Sequence, residues 1–146
     1  MYTFVIPLAP ISKKNSQRIM TNRATGKPFI MPSAQYKQYE RDAAYFIPRP
    51  KRPIDIPVNI KCLFYMPTRR LCDKSNLEEA IHDILTTTGL LADDNRDIIA
   101  ATDGSRVYYD KDNPRTEVYI TPLTNYEQWG KQINNNSQIK KRKQQK

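Results

Sequence analysis

The segment from Val58 to Met66 constrains the fold of this chain most strongly, because hydrophobic side chains occupy every second position in it. One face of the segment would carry Val58, Ile60, Cys62, Phe64 and Met66. Strict alternation over this length predicts a β-strand with one buried face. The strand runs toward Pro67, Arg69 and Arg70 and delivers the chain to Asp73.

A first amphipathic helix is predicted over residues 34–46, after Ser33, which is a good N-cap residue. Its apolar stripe consists of Tyr36, Tyr39, Ala43 and Phe46, at spacings of three and four. Stacking on nucleic-acid bases is an alternative role for the two tyrosines, but helical spacing favours core packing. Pro48, Pro50 and Pro53 end the helix and impose an extended connection.

A second helix is predicted from about Asn76 to about Thr88. The sequence Ser75-Asn76-Leu77-Glu78 fits a capping box, and Gly89 is typical of the position just after a helix end. The apolar stripe of this helix consists of Leu77, Ile81, Ile84 and Leu85. Glu79 and Asp83 lie four residues apart on its other face, with His82 nearby.

The remaining strands are short. Strands are predicted at Tyr2–Ile6 and Thr116–Thr121, with one hairpin pairing Gln17–Met20 with Lys27–Met31 and a second pairing Ile98–Thr102 with Val107–Tyr109. These elements predict an α/β (α+β) fold, with a small mixed sheet and two main helices, as one domain over residues 1–123. Residues 124–146 are polar and basic without periodicity, apart from Trp129, and are predicted to be a largely disordered tail.

Charge is unevenly distributed along the 146 residues, whose net charge is +9. Residues 1–52 have ten Lys and Arg against two acids (+8), residues 53–130 have eight against thirteen (−5), and residues 131–146 have six against none (+6). A protein that cleaves phosphodiesters could use cations to hold the DNA backbone and carboxylates to hold a metal. A mixed surface with a solubilising tail would look the same, and charge alone favours that interpretation.

The composition excludes several classes of protein. There is no apolar run of about 18 residues and no secretory signal, so we expect a cytoplasmic protein without a membrane partner. Cys62 and Cys72 form no C-x-x-C motif, and His82 is the single histidine, which argues against a zinc site and for free thiols.

Acidic residues flank the second helix. Asp73 precedes it, and Asp93 and Asp94 follow its stop signal, so these carboxylates would suit the oxygen-rich coordination that Mg²⁺ prefers. A helix of about 13 residues is about 20 Å long, so their convergence depends on how the chain doubles back. Asp83 fits three roles: a ligand, a residue that orients a ligand, or half of a surface pair with Glu79. Asp93 also fits a simple turn residue.

The segment D-K-S-N-L-E-E-A-I-H-D-I-L-T-T-T-G-L-L-A-D-D resembles the signature of the RusA family of Holliday junction resolvases. That signature reads approximately D-x-D-N-x-x-K-x-x-x-D-x-L, followed by a Gly and then by D-D. Seven residues match in register: Asp73, Asn76, Asp83, Leu85, Gly89, Asp93 and Asp94. With the proline-bearing first strand and the strand that leads into the signature, the resemblance covers roughly residues 2–122.

The resemblance implies a small homodimer that binds four-way DNA junctions and nicks two strands symmetrically, in a bacterium or a phage-infected cell. It implies Mg²⁺ as the cofactor, with Mn²⁺ able to substitute, and it places the metal on Asp73 and Asp94, with Asp93 adjacent. Asp73 and Asp94 would then be catalytic, with Glu79 supporting them.

The predicted phosphate contacts come from basic loops. Residues 12–16 combine two cations, two hydroxyls and an amide, a composition suited to a phosphate-contacting loop, although a solvated turn would look similar. The predicted DNA-contacting residues are Lys13, Lys14, Asn15, Arg69, Arg70 and Lys74.

Two departures from the signature bear on catalysis. Ser75 stands where the family has its second aspartate, and Glu79 stands where it has the helix lysine. Glu79 would return the missing carboxylate one helical turn later, or would simply be solvated. Two alternatives therefore stay open: a junction-binding protein that no longer cuts, and a small interaction module whose basic tail binds RNA or an acidic partner.

Overall fold

The computed structural model describes residues 1–13 and 17–123, without the side chains of Gln17 and Arg18. The predictions on Lys14, Asn15, Trp129 and the tail of residues 124–146 lie outside this part of the chain. None of the helices in the described ranges is long and apolar enough to cross a membrane.

Seven strands and two helices make up the described chain, which confirms the predicted α+β class with a small mixed sheet. In chain order they are β1 (Tyr2–Ile6), β2 (Gln17–Thr21), β3 (Pro28–Pro32), α1 (Ala34–Ala44), β4 (Val58–Met66), α2 (Lys74–Thr87), β5 (Ile99–Ala101), β6 (Arg106–Tyr109) and β7 (Arg115–Pro122). The predicted pairing of β2 with β3 is also confirmed.

The main sheet is built around β4. Strand β7 lies antiparallel to β4 on one side, and β1 lies antiparallel to β7 beyond it. On the other side, β5 and β6 both run parallel to β4. Parallel neighbours of one strand require the chain to cross over, and α2 lies in the connection between β4 and β5.

The predicted hairpin of Ile98–Thr102 with Val107–Tyr109 is wrong. β5 pairs with the beginning of β4 and β6 with its end, so the two short strands follow one another along one edge. Side chains bridge the gap between them: the Ser105 hydroxyl accepts from the Cys62 N–H at 3.0 Å, and Asn59 Oδ1 accepts from the Asp103 N–H at 2.7 Å. These bonds replace sheet hydrogen bonds that the intervening turn cannot supply.

The core lies between the helices and the inner face of the sheet. The predicted alternation in β4 is confirmed, since Val58, Ile60, Cys62 and Phe64 are all fully buried. The predicted stripe of α2 is buried as well, and Tyr36, Tyr39 and Ala43 of α1 pack against it. The extension of the α1 stripe to Phe46 is wrong, because α1 ends at Ala44 and Phe46 is 42% exposed.

Helix α2 begins earlier than predicted. Asp73, not Ser75, is its N-cap residue, and its backbone carbonyl accepts from the Leu77 N–H at 3.3 Å. The predicted capping box is therefore wrong: Ser75 is exposed within the first turn, and Glu78 pairs instead with Lys74, at 3.1 Å between Oε1 and Nζ. The predicted end is confirmed, because Gly89 has φ +87° and the Leu90 N–H donates to the Leu85 carbonyl at 3.1 Å.

The outer face of the sheet is covered by aromatic and charged side chains. The Arg115 guanidinium lies 3.7 Å from the centre of the Tyr65 ring, and it also donates to Asp110 and Glu117. The Tyr65 ring stacks on Tyr108 at 5.3 Å. Such contacts let long polar side chains shield a sheet face on which neither α1 nor α2 packs.

The two cysteines are expected to differ in reactivity. Burial raises the pKa of the Cys62 thiol to about 12, whereas Cys72 is partly exposed beside Asp73. Because the thiolate is the reactive form, a colorimetric thiol titration at pH 8 should find one reactive group in the folded protein and two in denaturant. Rapid reaction of both groups under native conditions would contradict this placement of Cys62.

Candidate functional site

The segment after α2 turns back onto the body of the protein. The Ile54 N–H donates to the Leu90 carbonyl at 2.8 Å, and the Ala92 N–H donates to the Ile54 carbonyl at 2.9 Å. Leu90 and Leu91 are fully buried, so the two residues that follow Ala92 are held in a defined position. This anchoring places Asp93 and Asp94 beside the second half of α2.

The carboxyl group of Asp94 lies within hydrogen-bonding distance of Asp83 on α2. Partial burial, the negative charge of Asp94 and this hydrogen bond raise the pKa of Asp83 above its usual value. A hydrogen bond between two carboxyl groups requires a proton on one of them, and two carboxylates in contact repel each other. The pair is therefore a place where a cation would be favourable.

Two further charged residues act on this carboxyl pair. The positive charge of Lys13 lowers the pKa of Asp83, and the negative charge of Glu79 raises it. Glu79 lies one helical turn before Asp83 on the exposed side of α2. Three of the residues singled out in the sequence, Asp94, Glu79 and Lys13, thus all act electrostatically on Asp83.

Asp73 lies at the other end of α2, where it is exposed. The Asn76 side-chain amide donates to Asp73 Oδ2 at 3.3 Å. Ten residues of helix separate Asp73 from Asp83, which corresponds to roughly 15 Å along the axis. Asn76, Glu79 and Asp83 lie on one face between these two ends, so a polar stripe runs along α2 from Asp73 to the carboxyl pair.

Asp93 holds the turn that positions Asp94. Its Oδ1 accepts from the Asp94 N–H at 2.7 Å, and its Oδ2 accepts from the Asn95 side-chain amide at 3.1 Å. The hydrogen bond from the Asp94 backbone lowers the pKa of Asp93. Both oxygens are engaged within the turn, as expected for an aspartate that fixes loop geometry.

The predicted phosphate contacts near Asp73 are on the surface. Arg69, Arg70 and Lys74 are exposed. The Arg69 guanidinium lies 4.7 Å from the centre of the Tyr109 ring, and Lys74 pairs with Glu78. Exposed contacts of this kind are weak, and these cations can therefore exchange their partners for a phosphate.

A family model described as Endodeoxyribonuclease RusA matches residues 7–121, a range that includes α1, β4 and α2 entirely. The chain belongs to the RusA family. No curated protein matches the chain. Membership of this family implies endodeoxyribonuclease activity on Holliday junctions.

The carboxylates of this RusA-family chain fit a magnesium ion in part. Among residues 1–13 and 17–123, no group of three or more His, Cys, Asp or Glu side chains is arranged to hold a metal ion. Mg²⁺ usually takes only one or two carboxylates from a protein and fills its other positions with water and substrate oxygens. A Mg²⁺ ion bound between Asp83 and Asp94 would relieve the repulsion of their two negative charges. These two residues therefore fit a magnesium ion.

Asp83 is the residue whose importance sequence reasoning underestimated. The RusA signature contains Asp83, but its helical spacing fits three roles equally well: a metal ligand, a residue that orients a ligand, or half of a surface pair with Glu79. The deciding contact with Asp94 crosses a loop, and no local pattern reports it.

His82 is mostly buried, which lowers its pKa, and the opposing charges of Glu78 and Asp94 do not reverse that direction.

Proposed function

We propose that this protein is a Mg²⁺-dependent, structure-specific DNA endonuclease that resolves Holliday junctions or related branched DNA by paired symmetric nicks. The observation that carries the proposal is the contact between the Asp83 and Asp94 carboxyl groups, on which the charge of Lys13 acts, in a chain of the RusA family. A carboxylate pair next to a cation suits a metal ion and a phosphate that are bound side by side.

Asp94 and Asp83 would hold the metal, and Asp93 positions Asp94 through the turn that they share. When bound, Mg²⁺ supplies an activated water molecule and neutralises charge that develops on the phosphate. Mn²⁺ takes similar oxygen ligands and is expected to substitute. Asp73, which the family signature assigns to the metal, lies at the far end of the polar stripe. Within one protomer it would therefore hold a different ion from the one between Asp83 and Asp94.

The cations would hold the DNA backbone on either side of the carboxylates. The charge of Lys13 acts on Asp83, and Arg69, Arg70 and Lys74 are exposed near Asp73 in the sequence. Lys14 and Asn15 follow Lys13 directly in the sequence. Cations at both ends of the α2 stripe would align a phosphodiester backbone along it. Each lysine or arginine that contacts a phosphate also strengthens binding, because it releases counterions from the DNA.

Paired nicks require two active sites, and we therefore propose a homodimer. A four-way junction has two equivalent scissile strands, and a two-fold symmetric dimer has two equivalent sites. We further propose that the protein acts in the cytoplasm of a bacterium or a phage-infected cell, where branched DNA intermediates arise.

Cleavage of a labelled synthetic four-way junction tests the proposal. With Mg²⁺, the wild-type protein should give two nicks at symmetric positions, and EDTA should abolish them while junction binding persists. Sedimentation of the free protein should give twice the monomer mass. Tight junction binding without any cutting in Mg²⁺ or Mn²⁺ would contradict the endonuclease assignment.

That contrary outcome would favour a junction-binding protein that no longer cuts. Ser75 and Glu79 support this second candidate, because they stand where the family signature has an aspartate and a lysine. Both are exposed, Ser75 in the first turn of α2 and Glu79 within the polar stripe. A basic interaction module is tested by deleting residues 131–146. If specific binding disappears with the tail and the remaining body binds nothing, both junction-based functions fail.

Glu79→Gln should separate these two candidates. If the Glu79 carboxylate replaces the missing aspartate near Asp83, the variant should lose Mg²⁺-dependent cleavage by orders of magnitude and keep its affinity for the junction. Single-turnover cleavage and gel-shift binding in Ca²⁺ measure the two quantities. Asp112→Asn, in an exposed turn before β7, is the control that should cut normally. Unchanged cleavage by Glu79→Gln would remove Glu79 from the site.

A further inference from the structure

The β2–β3 hairpin exposes an apolar pair of side chains. It forms a separate two-stranded sheet, in which Ile19 lies directly opposite Ile30. Residues directly opposite in an antiparallel pair share one face, and here Ile19 is 80% exposed and Ile30 is 64% exposed. A two-stranded hairpin is marginally stable on its own in water. The exposed Ile19–Ile30 pair adds no buried apolar surface that would stabilise this hairpin in the folded domain.

The other face of the hairpin is turned toward the body of the protein. Met20 and Met31, one residue along from Ile19 and Ile30, line a shallow cavity of about 170 Å³ together with Ala34 and Lys37 at the start of α1. Successive side chains of a strand point to opposite faces. The Ile19–Ile30 pair therefore faces away from the body of the protein.

The charge around this pair indicates the chemistry of the partner. The hairpin and its turn contain Arg18, Arg23 and Lys27, and residues 1–39 contain no Asp or Glu. The turn is ordered by Asn22, whose Oδ1 accepts from the Ala24 N–H at 2.9 Å. Two copies packed through this face would bring like charges together, whereas a nucleic acid is complementary to it.

The hairpin also follows closely, in the sequence, a residue that acts on the carboxyl pair. Gln17 follows Lys13 by four residues, a chain length that spans at most about 14 Å. Lys13 itself acts on Asp83. A short link therefore connects the hairpin to a residue that acts on the proposed cleavage site.

We propose that Ile19 and Ile30 form an apolar wedge that inserts between base pairs at the branch point of the DNA, while the basic turn holds the flanking phosphates. The inference rests on the proposed function, because a branch point is where stacking is already interrupted and is least costly to open. Apolar side chains inserted between base steps, with cations on the adjacent backbone, are an established way in which proteins deform DNA.

The test uses a four-way junction with 2-aminopurine at the branch point, in Ca²⁺ and without cleavage. The fluorescence of 2-aminopurine rises when it is unstacked, so wild-type protein should raise it. Ile19→Ser/Ile30→Ser should abolish that rise and weaken junction binding about tenfold, with binding to linear duplex changed less than twofold. Ile19→Leu/Ile30→Leu should keep the rise, and Ile56→Ser, at an exposed isoleucine outside the hairpin, should behave as wild type.

Two results would overturn the wedge: an undiminished fluorescence rise with the double serine variant, or conversion of a dimer to a monomer by that variant in sedimentation. The second result would assign the pair to contact with another copy. Circular dichroism and the leucine variant identify any loss that is due to unfolding. A wild-type protein that raises the fluorescence but cuts nothing in Mg²⁺ would refute the endonuclease and leave the wedge standing.

Discussion

Asp94→Asn is expected to lower Mg²⁺-dependent junction cleavage by about a hundredfold or more, because a bound metal contributes several kcal/mol to catalysis and 1.36 kcal/mol corresponds to tenfold in rate. Asparagine keeps the shape of the side chain but removes the charge that would hold the cation. Junction affinity in Ca²⁺ or EDTA should fall little or rise, since a negative charge near the phosphates is lost. Single-turnover cleavage and gel-shift titration measure the two effects.

Companion variants locate the metal along α2. Asp83→Asn should match Asp94→Asn, and the double variant should be little worse than either alone, because the two carboxyl groups act as a unit. Asp73→Asn tests the ligand that the family signature assigns at the other end of the stripe. Asp97→Asn, exposed in the same loop as Asp94, is the control. Normal cleavage by both Asp83→Asn and Asp94→Asn would exclude this carboxyl pair from catalysis.

Leu85→Ala is expected to lower the free energy of unfolding by about 3 kcal/mol, through lost burial and the cavity that remains. Leu85 is completely buried between α2 and the sheet, and it belongs to the last turn before Gly89. Urea denaturation followed by circular dichroism gives this energy. A loss of this size is a large fraction of the stability of a small domain.

Leu71→Ala makes the same chemical change at a fully exposed position, with a relative exposure of 102%. It should change the free energy of unfolding by less than about 0.5 kcal/mol. Equal losses for the two variants would show that the packing of α2 does not determine stability. The loss at Leu85 should also disturb the turn that carries Asp93 and Asp94, so its cleavage activity should fall with its stability.

Local patterns accounted for most of the elements. The alternation over Val58–Met66, the α2 stripe with Gly89 at its end, and the N-cap Ser33, whose hydroxyl accepts from the Tyr36 N–H at 3.1 Å, all depend on neighbours in the sequence. Such features are readable because the helical and strand periods belong to the backbone itself. The RusA signature was readable for a similar reason, since its seven positions lie within one helix and its flanking turns.

The errors arose where two local solutions compete. Ser75 is as good an N-cap residue as Asp73, and the ion pair of Lys74 with Glu78 favours the longer helix. Val107–Tyr109 has the composition of a hairpin strand, yet parallel pairing with β4 packs the partly buried Val107 against the core. Two features favour pairing of β6 with β4 over a β5–β6 hairpin: burial at the end of β4 and the hydrogen bond of the Ser105 hydroxyl with the Cys62 N–H. Both involve residues that are far apart in the sequence.

By itself, the sequence determined the strand and helix content, the family and the positions of the acidic residues. Only the tertiary structure decided which acids meet. Asp83 and Asp94 are eleven residues apart and separated by a helix end, and their contact depends on Ile54 pairing with Leu90 and Ala92. A periodic pattern reports which face of an element is buried, but the meeting of two elements is set by packing of the whole core.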